Sequence, residues 1–140
     1  MLARLLEPKV DIAYTFLRVM AGLLFEFHGV QKIFGVLTNI QPPVGTQLWF
    51  GGVIELTTGT LIALGAFTHQ AAFLASGTMA VAYLQFHWRF HFGARFFPVV
   101  NQGEPALLYS VLFLYMACQG GGRWSIDARL RPPPSAYEES

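Results

Sequence analysis

Charge is scarce in this chain: 12% of its 140 residues are Asp, Glu, Lys or Arg, where a soluble domain carries about 25%. The formal net charge of +1 leaves no basic footprint for nucleic acid, so no nucleic-acid partner is expected. Cysteine is scarcer still. Cys118 stands alone, which excludes an intramolecular disulfide and any multi-cysteine metal site and leaves it as a small packing residue. No nucleophile and base arrangement, phosphate loop or soluble electron-transfer motif occurs. His28 and His87 come without a haem motif, and two buried histidines are more often hydrogen-bonded than ligating, so no metal site is expected.

What the chain has in quantity is apolar surface: 54% of its residues are hydrophobic. A membrane span needs about 20 predominantly apolar residues, and the stretches 12–34, 47–67, 70–88 and 105–120 approach that length. They predict an all-α fold, an antiparallel four-helix transmembrane bundle occupying residues 12–120. Residues 1–11 are then an N-terminal segment and residues 121–140 a tail, both cytoplasmic. The first span is expected to be retained rather than cleaved, because its apolar part is long and no small-x-small site follows it. Arg4, Lys9, Arg123, Arg129 and Arg131 put five of the nine basic residues on the side of the termini. That excess puts both termini on the cytoplasmic side of a multi-pass membrane protein. The stretch Pro132 to Ser140, with three prolines and Glu138-Glu139, is expected to be mobile unless a partner holds it.

The polar residues inside the spans are few enough to follow one by one. The first span closes on Phe25-Glu26-Phe27-His28-Gly29-Val30-Gln31-Lys32-Ile33-Phe34-Gly35, where His28, Gln31 and Lys32 share an arc of roughly 100° on a helix. Arg18 lies well inside the same span and should face the bundle or an anionic partner, since arginine at mid-span costs about 2.5–3.5 kcal/mol. Gly22 and Gly29 lie on nearly the same face, which reads as a helix contact. In the second span, Gly51-x-x-x-Glu55-x-x-x-Gly59 sets a carboxylate between two glycines that admit a neighbouring backbone. An ionisable group at that depth marks a functional site unless it merely pairs with Lys32 or Arg18. Thr68 is a candidate N-cap for the third helix. That helix ends in Tyr83, Gln85, His87 and Trp88, with Tyr83 and His87 four apart on one face. The loop 89–98 is aromatic enough to lie along the interface or fold over the bundle mouth. Glu104 and Pro105 open the fourth helix, where capping alone is enough to explain Glu104.

Topology gathers these residues. With helices running alternately outward and inward, His28, Gln31, Lys32, Glu55, Tyr83, His87 and Glu104 all fall in the outer half, below His91 and Arg95. They are the candidate ligand-binding residues of a polar pocket. No residue is assigned a catalytic role.

His28-Gly29-x-Gln31-Lys32-x-Phe34-Gly35, Glu55, Gly65-x-Phe67-Thr68 and Asn101-x-Gly103-Glu104 resemble the DoxX family of small bacterial membrane proteins, in the family's order and over residues 12 to 127. Gln102 replaces the second glycine of an Asn-Gly-Gly-Glu pattern. The family takes its name from similarity to a subunit of an archaeal thiosulfate:quinone oxidoreductase, so the resemblance implies a redox-linked subunit with a quinone in the outer pocket. In that reading His28 or His87 bonds a quinone oxygen and Glu55 or Glu104 takes its proton. The alternative is a non-catalytic subunit of a larger membrane complex, its polar cluster satisfied internally. Either role has the lipid bilayer as one partner and other membrane-protein subunits as another.

Overall fold

In the computed structural model, residues 2–39 and 41–130 are described. Arg131, the three prolines from Pro132 and Glu138-Glu139 lie outside the described residues. The regular elements are all helical: α1 (Leu2–Leu6), α2 (Val10–Phe34), α3 (Gln47–Leu64), α4 (Thr68–Ala82), α5 (Pro98–Asn101), α6 (Glu104–Gln119) and α7 (Ile126–Leu130), with short 3-10 turns at Glu7–Lys9 and Ala94–Phe96. A π-helical segment, Tyr83–Trp88, continues α4.

Local sequence sets the ends. Gly35 takes the left-handed conformation (φ 66°) that closes α2. Thr46 caps α3 by accepting the Trp49 N–H at 3.3 Å. At its other end the N–H groups of Gly65 and Ala66 bond to Ile62 and Leu61, the paired pattern that a glycine after a helix permits. Among the described residues α3 alone is long and apolar enough throughout to cross a membrane by length and composition. α4 and α6 stop at 15 and 16 residues, and α2 carries Asp11, Arg18, Glu26 and Lys32.

Packing follows small residues. A Cβ on Gly22 would lie 2.5 Å from the Ala63 nitrogen, and one on Gly29 would lie 2.4 Å from the Leu56 nitrogen. As the α2 number rises the α3 number falls, so the two helices are antiparallel with backbones in contact. The glycine in α3 that completes this seam at the loop end is Gly52, which meets Lys32; Gly51 has open space around it. One residue along a helix is 100° of rotation, enough to move Gly51 off the seam. α4 and α6 pair the same way: His69 Nδ1 bonds to the Ala117 carbonyl (2.7 Å), Ser76 Oγ to the Ser110 carbonyl (2.7 Å), and Gly103 abuts the Tyr83 ring. Phe25 joins the pairs, buried against Phe113 and Tyr109 at ring separations of 4.8 and 5.7 Å.

At the end bearing the chain termini, residues 120–130 fold back across the helices. Arg18, 1% exposed, donates from Nη1 to the carbonyls of Ile62 (2.6 Å) and Ala63 (2.7 Å) and from Nη2 to that of Trp124 (2.8 Å). It thus faces the bundle, at the negative end of the α3 dipole, and bonds carbonyls rather than an anion. Tyr14 Oη donates to the Gly120 carbonyl at 2.5 Å. Thr68 is the first residue of α4 and not its cap. The cap position falls to Phe67 with φ 49°, and Asp127 of α7 accepts the N–H groups of Phe67 (2.7 Å) and Thr68 (2.9 Å). A carboxylate serves this place better than a hydroxyl because it takes both orphan donors and meets the dipole.

Burial alone would raise the Asp127 pKa, but the hydrogen bonds from Thr68 and Phe67 outweigh it and hold the carboxyl below its ordinary value. A depressed folded value contributes stability above the unfolded pKa of about 3.9 and loses it as pH falls through the folded value. Asp127→Asn should therefore lower the thermal midpoint in detergent at pH 7, and the gap from wild type should close as the pH is taken below 4. A gap unchanged between pH 7 and pH 3 would show that the carboxylate charge does not hold the strap.

Candidate functional site

The α3–α4 hairpin turns at the terminal end, and toward the loop end a cleft of about 760 Å³ occupies the space between the two helices. α2 contributes His28 and Lys32 to its wall, and α6 contributes Ala106 and Tyr109. Most of the wall is apolar, as Leu48, Phe50, Ile54, Phe73, Leu74 and Val81 illustrate. The polar pocket expected from the sequence is thus an apolar cleft with a polar lining at a few points. The reason is geometric: the helices supply one polar residue per turn at most, and the turns between are Leu, Phe and Ala.

Glu55 is the most constrained of those points. It is 2% exposed, and its Oε1 accepts from Lys32 Nζ at 2.5 Å. Lys32 reaches it because Gly52 leaves room for the lysine stem, whose Cβ would lie 2.7 Å from a Cβ at that position. The lysine side chain remains 31% exposed, so the pair joins a buried carboxylate to a partly hydrated ammonium. The second carboxylate oxygen, Oε2, is buried and accepts no hydrogen bond. A buried acceptor without a donor costs roughly 1–3 kcal/mol, more when charged. Such groups are rare in native folds.

His28, Lys32, Glu55 and His87 line the cleft together; Gln31, Tyr83 and Glu104 do not. Gln31 lies further round α2 from the Gly22 and Gly29 seam than Lys32 does. Tyr83 fails for a reason the sequence conceals. The α-helix ends at Ala82, and the Arg89 N–H bonds five residues back to Leu84 at 2.9 Å. That wider turn removes the four-residue alignment of Tyr83 with His87. Tyr83 instead stacks on Trp88 at 6.5 Å, while His87 turns to the cleft and bonds through Nδ1 to the Asn101 carbonyl at 3.3 Å. The carbonyl can only accept, so Nδ1 carries a proton and donates it. Glu104 is exposed at the first position of α6, while Gln102 and Pro105 on either side of it line the cleft.

Residues not foreseen complete the site. Gln47 lines the cleft and donates from Nε2 to Gln85 Oε1 at 2.5 Å, tying the start of α3 to the π segment. Gly51 and Gly77 line it with nothing within 4 Å of an added Cβ, so they contribute volume rather than contact. Asn101 anchors the loop behind His87 by donating to the Arg95 carbonyl (2.9 Å) and accepting the Gly103 N–H (2.8 Å). The aromatic loop folds on itself: Trp88 collects Phe90, Phe92 and Phe96 at ring separations of 5.2, 5.5 and 5.8 Å. His91 and Arg95 are not on the cleft wall. An arrangement of this kind suits an amphipathic molecule, its body against the apolar helices and its head at Lys32, Glu55 and the histidines.

Comparison with known proteins is consistent with the motifs at these positions. An uncharacterized protein of Haemophilus influenzae is 42% identical over 126 residues, covering 87% of this chain and 93% of that protein. An uncharacterized membrane protein of Mycobacterium tuberculosis is 28% identical over 141 residues, covering 91% of this chain and 86% of that protein. No solved structure matches. The DoxX family model matches residues 13–88, the segment that holds the α2–α3 glycine seam, Lys32, Glu55 and His87, and the chain belongs to the DoxX family.

Proposed function

We propose that this chain is an integral membrane protein of the bacterial inner membrane whose four long helices cross the bilayer, termini inside, and whose loop-end cleft takes a lipid-soluble ligand with a quinone-type head. The membrane reading rests on the outside of the helices. Phe16 and Phe27 on α2, Phe73 on α4 and Leu108 and Val111 on α6 are exposed, an apolar surface that water does not tolerate but hydrocarbon does. α4 reaches spanning length through its π continuation. The basic residues near the two termini supply the orientation.

One observation carries the ligand reading: an ion pair with an unsatisfied carboxylate oxygen sits on the wall of a cleft that is otherwise apolar. A ring in the cleft would share its wall with Phe50, Phe86, Lys32, His28 and His87, and Phe73 and Leu74 on the same wall are exposed toward a tail. A molecule dissolved in the bilayer enters sideways between α3 and α4. Electrons, if they pass, need a partner subunit, since no redox group is coded by these residues.

The test is purification in mild detergent of wild type and Gly77→Leu, followed by mass spectrometry and visible and ultraviolet absorption. Leucine has open space at position 77 and is a better helix residue than glycine, so the variant should fold and fill the cleft. A quinone-type molecule that accompanies wild type and is lost from the variant is the expected outcome. Neither protein carrying such a molecule, nor taking one up when offered, would defeat the reading.

A second reading, a non-catalytic subunit of a larger complex, draws on the Lys32–Glu55 pair itself, because an ion pair between two helices is also how polar packing looks. It predicts a stable larger assembly in both proteins with no small molecule bound.

A further inference from the structure

The cleft wall is unequal in its hydrogen-bonding needs. Glu55 Oε2 is a buried acceptor without a donor. His87 donates from Nδ1 to the Asn101 carbonyl. Gln47 donates one amide N–H to Gln85 Oε1. Lys32 places one N–H on Glu55 Oε1 and has two more. A quinone brings two carbonyl acceptors and no donor, so it would satisfy Lys32 and leave the carboxylate oxygen as it stands. A hydroquinone brings two O–H groups, each a donor that also keeps an acceptor lone pair.

We propose that the cleft selects the reduced, hydroxyl-bearing form of its ligand, with Glu55 Oε2 accepting an O–H while Lys32 donates to an oxygen of the same head group. This rests on the reading of the cleft as a quinone-type site. The terminal torsion of a glutamate side chain is broad, so a turn of the carboxylate brings Oε2 to the cleft while the flexible, partly exposed Lys32 side chain follows Oε1. An O–H bonded to a carboxylate is charge-assisted and stronger than a bond between neutral groups. The hydroxyl therefore displaces the orphaned state of Oε2 and discriminates against ligands of the same shape that lack a donor. The selection is one of binding only, and no bond is made or broken.

The measurement is calorimetric titration of the detergent-solubilised full chain, under anaerobic conditions, with decylubiquinone, its quinol and the quinol dimethyl ether. The ether keeps ring, tail and oxygens but has no donor. Wild type should bind the quinol about tenfold tighter, or more, than either donor-free compound, the size expected of one charge-assisted hydrogen bond. In Glu55→Gln the gap should shrink to about threefold or less, because an amide whose oxygen keeps Lys32 presents an NH2 donor where Oε2 stood, and its oxygen, if turned to the ligand, is a weaker acceptor than a carboxylate. The ether comparison uses unaltered protein, so the proposal stays testable if the variant does not fold. Quinone or ether binding as tightly as the quinol overturns the proposal and leaves the cleft reading intact. A gap undiminished in folded Glu55→Gln overturns the role of Glu55. Absence of binding by all three compounds overturns the cleft reading and this proposal with it.

Discussion

Gly29→Leu is expected to deprive the chain of its folded state. The seam between α2 and α3 has backbone against backbone: an added Cβ at position 29 would lie 2.4 Å from the Leu56 nitrogen and 2.7 Å from both the Gly52 oxygen and the Leu56 Cα. Atoms of a flexible side chain would move aside, but these belong to a helix whose displacement breaks its packing along the whole length. Overpacking a core typically costs about 1–3 kcal/mol, and a clash against main chain on a helix seam belongs at or beyond the upper end. The same displacement would carry Glu55 away from Lys32, because Gly52 and Leu56 flank it on α3. Size-exclusion chromatography in mild detergent should show Gly29→Leu aggregated or absent, whereas Gly51→Leu, one residue from the seam, stays monodisperse. A monodisperse Gly29→Leu with a thermal midpoint close to wild type would mean that α2 and α3 do not meet at these glycines.

Arg18→Met should release the strap of residues 120–130. The guanidinium bonds three carbonyls that have no other side-chain donor near them, two at the end of α3 and one at Trp124. Hydrogen bonds to charged groups are worth roughly 1.5–3 kcal/mol each, and methionine removes all three, leaving the Ile62 carbonyl with the Gly65 N–H alone. Arg18→Lys should restore little, since a point charge with a single nitrogen cannot bridge α3 and Trp124 as the planar fork does. Both variants should show a lowered thermal midpoint and faster proteolysis between Gly120 and Leu130. Asp127→Asn, which loosens the same strap from the α4 side, should add less than its separate effect in the Arg18→Met background, because the two contacts hold one segment. Full additivity would separate them.

Much of this architecture was legible in the residues. Gly22, Gly29 and Arg18 on one face of α2 are read from spacing alone, and the seam and the buried guanidinium lie there. Gly35 and Gly65 end helices as glycine does. The site was legible in part. Glu55 and Lys32 meet because depth in an apolar helix makes a carboxylate seek its nearest cation, and this is a local argument. Tyr83 was misjudged because nothing in Tyr-Leu-Gln-Phe-His-Trp announces a π segment, and the change of turn alters which residues align. Gly51 was taken for Gly52 because helical phase against a neighbour depends on the neighbour. Asp127 was not foreseen at all. It caps a helix 59 residues earlier in the chain, and such a long-range cap has no signature in sequence. The apolar character of the cleft was hidden for a different reason: the residues that line it are ordinary span residues, and only the parting of α3 from α4 makes a site of them.

The central claim is that the space between α3 and α4 is a binding site open to the bilayer. Photo-labelling of the protein in inner-membrane vesicles with an azido-quinone, followed by mapping of the modified peptides, tests it directly. Labels are expected on α3 between Gln47 and Glu55 and on α4 and its π segment between Phe73 and His87, reduced by excess unlabelled quinone and absent in Gly77→Leu. Labels spread over the outer faces of α2 and α6, or undiminished by competition and by Gly77→Leu, would contradict it.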